Sequence, residues 1–323
     1  MVPVLVLVLA LVTAIATLAG CAGRAAKERP VVKIGYLPIT HSLTAAVAHK
    51  NAGGKFNNFN LELVKFSSWP ELTEALHSGK IQGAITMFEL ALVGRQKGFP
   101  LKVVTLGHRN GDVLVVKPEI KSVAELKGRR VAIPHRLSGH NILLYKALRD
   151  AGLQYSDIQF IEMPPPDMMA ALSRGEVDAY VVAEPFGAVA VLQGVGKVLL
   201  RAQDIWNDWI CCGLVVREEF LRDNPEAAAE LVSALLEAGE EAQADRGKAV
   251  AVSKEYFGHK EEVMARSLEW ISYRNLVPRV EEFQRLQDYL VEMGLMKDKV
   301  DLRGLVDDRW ARGQGGAVPG PSQ

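Results

Sequence analysis

Three short polar loops carry most of the chemistry this chain can offer, and each follows an apolar stretch. They are Ser138-Gly139-His140-Asn141, Glu162-Met163-Pro164-Pro165-Pro166-Asp167 and Ala183-Glu184-Pro185-Phe186-Gly187. Loops that leave the strands of an open α/β sheet in one direction gather at one edge, where small ligands bind. His140 is the sharpest candidate. Ser138 and Gly139 stand where an N-cap belongs, and Leu144/Leu148 and Ala147/Ala151 continue at helical spacing to Gly152. A helix start presents free N–H groups and partial positive charge to an anion, and a histidine there adds a donor whose charge switches near neutral pH. The competing reading is a solvent-facing cap with an ordinary surface histidine.

Other residues fall at loop positions that suit binding. Trp69, after Ser67-Ser68, either reaches a cleft with its indole N–H or packs into a core. Thr40 and His41 lie in the first loop and Thr86 at the end of a buried strand. Glu184 follows an apolar strand and precedes a proline. A lone buried carboxylate is costly, so it needs a partner or an open cleft. His108-Arg109 and His135-Arg136 are further polar loop residues, with His108 a possible neighbour of His140. No His, Asp or Glu spacing matches a metal site, so neither metal nor cofactor is expected. The neighbouring Cys211 and Cys212 cannot staple a fold and read as two small buried hydrophobes, with a vicinal disulfide as the alternative. The chain contains no Gly-x-Ser-x-Gly, no Gly-x-x-x-x-Gly-Lys and no His-Glu-x-x-His, so a binding role is expected rather than catalysis.

The elements that must position these loops alternate between short strands and amphipathic helices, the pattern of an α/β fold. Strands are expected at Val31–Tyr36, Leu61–Phe66, Gly83–Thr86, Leu101–Leu106, Arg129–Ile133, Ile158–Met163, Ala179–Ala183 and Lys197–Leu200. Helices are expected over Ser42–Lys50 and over Pro70–His77, where proline at the start loses no hydrogen bond. Glu74-Ala75-Leu76-His77-Ser78-Gly79 is echoed by Ala170-Ala171-Leu172-Ser173-Arg174-Gly175, each a helix end closed by glycine before a strand. Val113-Leu114-Val115-Val116-Lys117 and Gly213-Leu214-Val215-Val216-Arg217 look alike and read as two segments crossing between lobes. Lobe one is then discontinuous, residues 31–114 plus 213–311, and lobe two is 115–212. Beyond Asn224-Pro225, a plausible N-cap and first helical position, the chain is expected to be helical to about Trp310, with Leu231, Ala234, Leu235 and Ala238 on one face. Residues 312–323, rich in Gly and Pro, are expected to be disordered.

Composition and the N-terminus bound the setting. Acidic and basic residues number 38 each, so no footprint for nucleic acid or anionic lipid is present. Val2–Ala19 is an uncharged apolar run ending in Leu18-Ala19-Gly20-Cys21, the pattern of a secretory signal, and Leu-Ala-Gly-Cys resembles the bacterial lipobox. Residues 1–20 are read as a signal peptide, Cys21 as the lipidated first residue of the mature chain, and 21–30 as a leash. The alternative is a short membrane-spanning helix. In either case about 290 residues remain outside the cytoplasm, enough for two lobes.

The three loops, in this order and wording, resemble the solute receptors of ABC importers in the nitrate/sulfonate/bicarbonate family, most of all its nitrate/bicarbonate branch, over about Val31 to Trp310. The resemblance implies a two-lobed periplasmic-binding-protein fold of type II with the ligand between the lobes. It also implies a small polar molecule or oxyanion as ligand, an ABC permease as partner, and a monomer anchored by lipid outside the cytoplasm. Receptors of that branch carry a histidine at the place of His140 and a Ser-Trp at the place of Trp69. The resemblance also implies departures. An amide expected after an Asn-Gly turn is replaced by Asp112, and a lysine downstream falls on Cys212. Both changes make the site less positive. A receptor for a thiamine-pyrimidine precursor is the alternative within this class. An enzyme akin to thiamine-pyrimidine synthases, which are similar in sequence and share the fold, is the alternative outside it.

Overall fold

The computed structural model describes residues 29–315. The leader, Cys21 and residues 316–323 lie outside the described residues. Among the described residues no helix is long and apolar enough to cross a membrane.

Two five-stranded sheets organise the chain. The first has the order β2-β1-β3-β11-β4, from β1 (Val31–Tyr36), β2 (Asn60–Lys65), β3 (Gly83–Met87), β4 (Leu101–Leu106) and β11 (Cys212–Arg217). The second has the order β10-β6-β9-β7-β8, from β6 (Asp112–Val116), β7 (Arg130–Ile133), β8 (Gln159–Glu162), β9 (Ala179–Ala183) and β10 (Lys197–Arg201). β1 runs parallel to β2 and β3, and β7 runs parallel to β8 and β9. Central strands of such sheets are covered on both faces, so β3, β6 and β9 are buried at every residue and read as unbroken apolar runs. A short pair, β5 (Arg109–Asn110) with β12 (Ile271–Ser272), ties the loop before β6 to the C-terminal region.

β6 and β11 are the antiparallel members, and each is entered directly after the chain has passed from one sheet to the other. Each belongs to one sheet along its whole length. Asp112, Val113 and Leu114 pair with Ala183, Val182 and Val181 in the second sheet, whereas the sequence reading ended lobe one at residue 114. Cys212 pairs with Met87 in the first sheet, although it was assigned to lobe two. The apolar run could not show where a strand changes partners. Because these strands run against their neighbours, they begin where the parallel strands end. Asp112 and Cys212 therefore stand at the strand-end edges where open α/β sheets generally bind ligands.

Helices follow the parallel strands: α1 (Leu43–Ala52), α2 (Trp69–His77), α3 (Phe88–Gln96), α4 (Gly139–Asp150), α5 (Pro165–Ser173) and α6 (Phe186–Leu192). Thr40–Ser42 forms a single 3₁₀ turn ahead of α1, so the first helix starts slightly later than expected. Ser68 caps α2 by accepting from the amide of Glu71, and Ser138 caps α4 by accepting from that of Asn141. α7 (Pro225–Ala244) starts at its proline, but the Asn224 side chain makes no cap bond. Leu231, Leu235 and Ala238 bury the expected face of α7, and Ala234 is half-buried. Helicity is interrupted before Trp310 by β12 and by the extended segment 273–279, then resumes in α8 (Val280–Glu292). At the far end, Arg312, Gly313 and Gln314 close a turn on the carbonyls of Asp308, Arg309 and Trp310, which corrects the expectation of disorder for these three residues.

Candidate functional site

The two crossing strands and the loops at the sheet edges bring together side chains that are far apart in sequence. His41 follows β1, His108 follows β4, Asp112 opens β6, His140 opens α4, and Cys211 and Cys212 lead into β11. All six are buried, at no more than 1% exposure. Asp112 stands in the middle. Its Oδ1 lies 2.8 Å from Nε2 of His140 and 3.4 Å from Nε2 of His41, and its Oδ2 accepts the indole N–H of Trp209 at 2.7 Å. His41 stacks on His108 with ring centroids 3.6 Å apart and faces His140 at 6.4 Å. One histidine thus comes from the first sheet and another from the second, and both meet one carboxylate.

The charges of this cluster are set by burial. His41 is pushed down to about 4 by desolvation, which outweighs the pull of Asp112. His108 is driven well below its ordinary value by the same cause. Both rings are neutral at neutral pH and keep a bare nitrogen. Burial alone would raise Asp112, yet chiefly His140, with Nε2 2.8 Å away, holds it below the usual carboxylate range. Desolvation raises Cys211 well above an ordinary thiol and raises Cys212 in the same direction. Glu89 and Glu184 are each pushed up to about 8 by burial, so they are protonated at neutral pH. Several polar atoms here lack a hydrogen-bond partner, among them His41 Nδ1, His108 Nε2, Thr86 Oγ1, both oxygens of Glu89 and Glu184 Oε1. Buried polar atoms are rarely left so, and their concentration makes this junction the candidate site.

Eight of the expected residues fall into three groups, with Trp69 and Thr86 apart. His41, Asp112, His140 and Cys212 come together. Thr40 and Glu184 form a latch between the sheets: the Thr40 amide and hydroxyl both donate to the Glu184 carbonyl, at 3.0 and 2.9 Å. The Glu184 carboxylate also accepts the Ala188 amide. Ser138 and Gly139 serve positioning. The Ser138 hydroxyl accepts from Asn141 and donates to the His135 carbonyl, which occupies it in the cap. Gly139 allows close approach, since a Cβ there would sit 2.5 Å from Trp209 Cζ2 and 3.1 Å from Glu89 Oε1. Trp69 is buried, yet it borders a cavity of about 230 Å³ shared with Ser67, Pro134, His135, Met163 and Pro165. A larger cavity of about 350 Å³ lies beside the latch, lined by Leu37, Ile39, Phe66, Pro165, Pro166 and Phe186. Both draw their walls from loops of both sheets.

Sequence reading missed Trp209, Cys211 and Glu89 as members of the site. It also found no spacing of a metal site, whereas the fold brings two sets of donors together. His41, His108, Cys211 and Cys212 offer ligand atoms that all lie within 4.8 Å of one another, and so do Asp112, His140 and Cys211. Linear spacing carried no sign of this because the donors come from separate loops. The available signal was Trp209-Ile210-Cys211-Cys212, an aromatic and two soft donors just before a crossing strand.

Two lobes of mixed sheet, joined by antiparallel crossing strands with a polar, buried junction, define a class of two-lobed binding folds. The chain belongs to the NMT1-like family, whose pattern matches residues 25–254. It is similar to the ligand-binding component of an ABC-type import system from Staphylococcus aureus, a structure described with zinc bound. The two are 33% identical over 88% of this chain and 98% of that one, with a TM-score of 0.83. It is also similar to the periplasmic aliphatic sulphonate binding protein SsuA of Escherichia coli, at 26% identity over 85% and 97% of the two chains and a TM-score of 0.71. The periplasmic nitrate-binding protein NrtA from Synechocystis PCC 6803 shares the fold at a TM-score of 0.79 and 20% identity, over 88% of both chains.

Proposed function

We propose that the protein is an extracytoplasmic solute receptor of an ABC importer. It captures a small polar solute between its lobes and hands it to a permease. The observation that carries this reading is the convergence of His41 and His140, from opposite sheets, on Asp112 at a junction with unpartnered polar atoms. Such a junction is complete only when the lobes are together, so a solute bound there favours the closed form. The importer relatives and their sulfonate- and nitrate-binding members support the same role. A lipid on Cys21, after cleavage between Gly20 and Cys21, would tether the receptor to the membrane.

The charge at the junction narrows the solute. A bare oxyanion about 5 Å from the Asp112 carboxylate would meet a repulsion of roughly 3 kcal/mol at an effective dielectric near 20, about a hundredfold in affinity. The solute is therefore one with its own N–H donors or positive charge, or an oxyanion accompanied by a cation. The zinc in the Staphylococcus aureus relative supports the tolerance of this fold for a cation. The relatives named as binding proteins support a binding role rather than catalysis.

Calorimetry with nitrate, bicarbonate with and without calcium, taurine and pyrimidine precursors tests this reading, together with scattering for compaction. Binding with compaction, lost in His140→Ala, is the expected result. Tight binding of nitrate without an added cation would refute the assignment of solute class.

A further inference from the structure

Beyond the solute, four buried donors on the first-sheet side form a set of their own: His41, His108, Cys211 and Cys212, with ligand atoms all within 4.8 Å. We propose that these four residues bind one thiophilic divalent metal ion of the zinc class in a tetrahedral Cys₂His₂ site. The site goes beyond the receptor reading and does not depend on it, since a first-sheet ion can stay bound while the lobes open.

The tautomers point to the same set. His108 Nδ1 lies 2.8 Å from the Asn110 carbonyl and His41 Nε2 lies 3.3 Å from that of Gly111. A carbonyl accepts only, so each of these nitrogens carries the proton. The opposite nitrogens, His108 Nε2 and His41 Nδ1, are then bare, and both are buried without a partner. A ring that donates one N–H to a carbonyl and turns its other nitrogen inward is the usual arrangement of a metal-binding histidine. Asp112 Oδ1, 3.4 Å from His41 Nε2, adds an outer-shell carboxylate behind the same ring.

The sulfurs fit as well. Two thiolates about 2.3 Å from a tetrahedral zinc ion stand ~3.8 Å apart. Cys211 Sγ and Cys212 Sγ are 3.6 Å apart and not bonded to each other. Two neutral thiols and two neutral imidazoles would release two protons on taking up M²⁺. The product M(Cys)₂(His)₂ has no net charge, which suits a site with no access to water. The other donor set, Asp112, His140 and Cys211, provides three ligands and one sulfur, and belongs to the junction where the solute is placed.

The test is titration of the reduced mature chain with Co²⁺, followed by displacement with Zn²⁺. The expected result is one ion per chain and about two protons released. Intense visible bands should report tetrahedral geometry, and a near-ultraviolet thiolate-to-cobalt band should report sulfur ligation. Cys212→Ser and His108→Ala should each weaken binding by more than the ~10- to 100-fold that an outer-shell change costs. His140→Ala should leave the ion in place while solute binding falls, which separates this proposal from the receptor reading. Three results would overturn it: no stoichiometric uptake, uptake without a thiolate band, or an ion lost in His140→Ala and kept in Cys212→Ser. Should Cys212→Ser fail to fold, the stoichiometry and thiolate band of the unaltered protein decide the matter.

Discussion

Replacing Glu89 by glutamine should stabilise the protein, by an amount that grows with pH. Glu89 lies in the first turn of α3, fully buried, near Gly139 at the start of α4. Burial lifts its carboxyl to about 8 from 4.5, and neither of its oxygens has a hydrogen-bond partner among the described residues. A carboxyl with a raised folded-state value costs nothing below its unfolded value, and the cost grows as pH rises toward the folded one. At about 1.4 kcal/mol per pH unit, the burden is under ~1 kcal/mol at pH 4.5, roughly 3 kcal/mol at pH 6.5 and roughly 4 kcal/mol at pH 8. Glutamine removes that burden and keeps the shape. Glu184 carries a similar burden in both proteins and cancels from the difference. Urea unfolding of metal-free protein and variant at the three pH values measures this directly. The gap should widen in favour of Glu89→Gln as pH rises. A gap independent of pH would show Glu89 to be solvated or paired in the fold, and a gap of opposite sign would refute the argument outright.

Three further outcomes follow from the same geometry, and a fourth from the leader sequence. Gly139→Ala should destabilise by about 1–3 kcal/mol and disturb Trp209 fluorescence, because the added methyl displaces the indole that holds Asp112; an unchanged emission would contradict this. Glu282→Gln should cost about 3 kcal/mol at neutral pH by leaving the buried Arg109 guanidinium, 2.7 Å from Glu282, without its carboxylate. Burial would raise Glu282, but hydrogen bonds from Arg279 and Arg109 hold it lower, so the pair's contribution is present above ~4.5 and fades as pH falls through the folded value. Unfolding at pH 7 and pH 3 reads the difference, which should shrink in acid. Thr40→Val removes one of the two bonds to the Glu184 carbonyl, and scattering of the solute-free protein should shift toward the open form. Mass spectrometry of protein from membranes should find Cys21 acylated and the leader removed; an intact Met1 would exclude the tether.

The chain's own pattern was enough for the architecture, because strands and helices are local. Val31–Tyr36 and Ala179–Ala183 read as strands from a few apolar residues between turn signals. Ser138 before Gly139 announced a helix start whether or not the rest of the protein was known. His140, Asp112 and Cys212 were also legible as candidates, the first from its place at a helix start and all three through the family resemblance. What the chain could not express was which loops would meet. Asp112 and Cys212 pair in the sheets opposite to those their sequence suggests, because an apolar strand does not record its hydrogen-bond partners. His41 and Cys211, 170 residues apart, become neighbours only when β1 and β11 flank β3 in one sheet. Their tautomers, their neutrality and the bareness of their donors follow from that burial. A binding fold is therefore written in local periodicity, while the donor set at its centre is decided by tertiary contacts, where desolvation keeps His41 and His108 neutral.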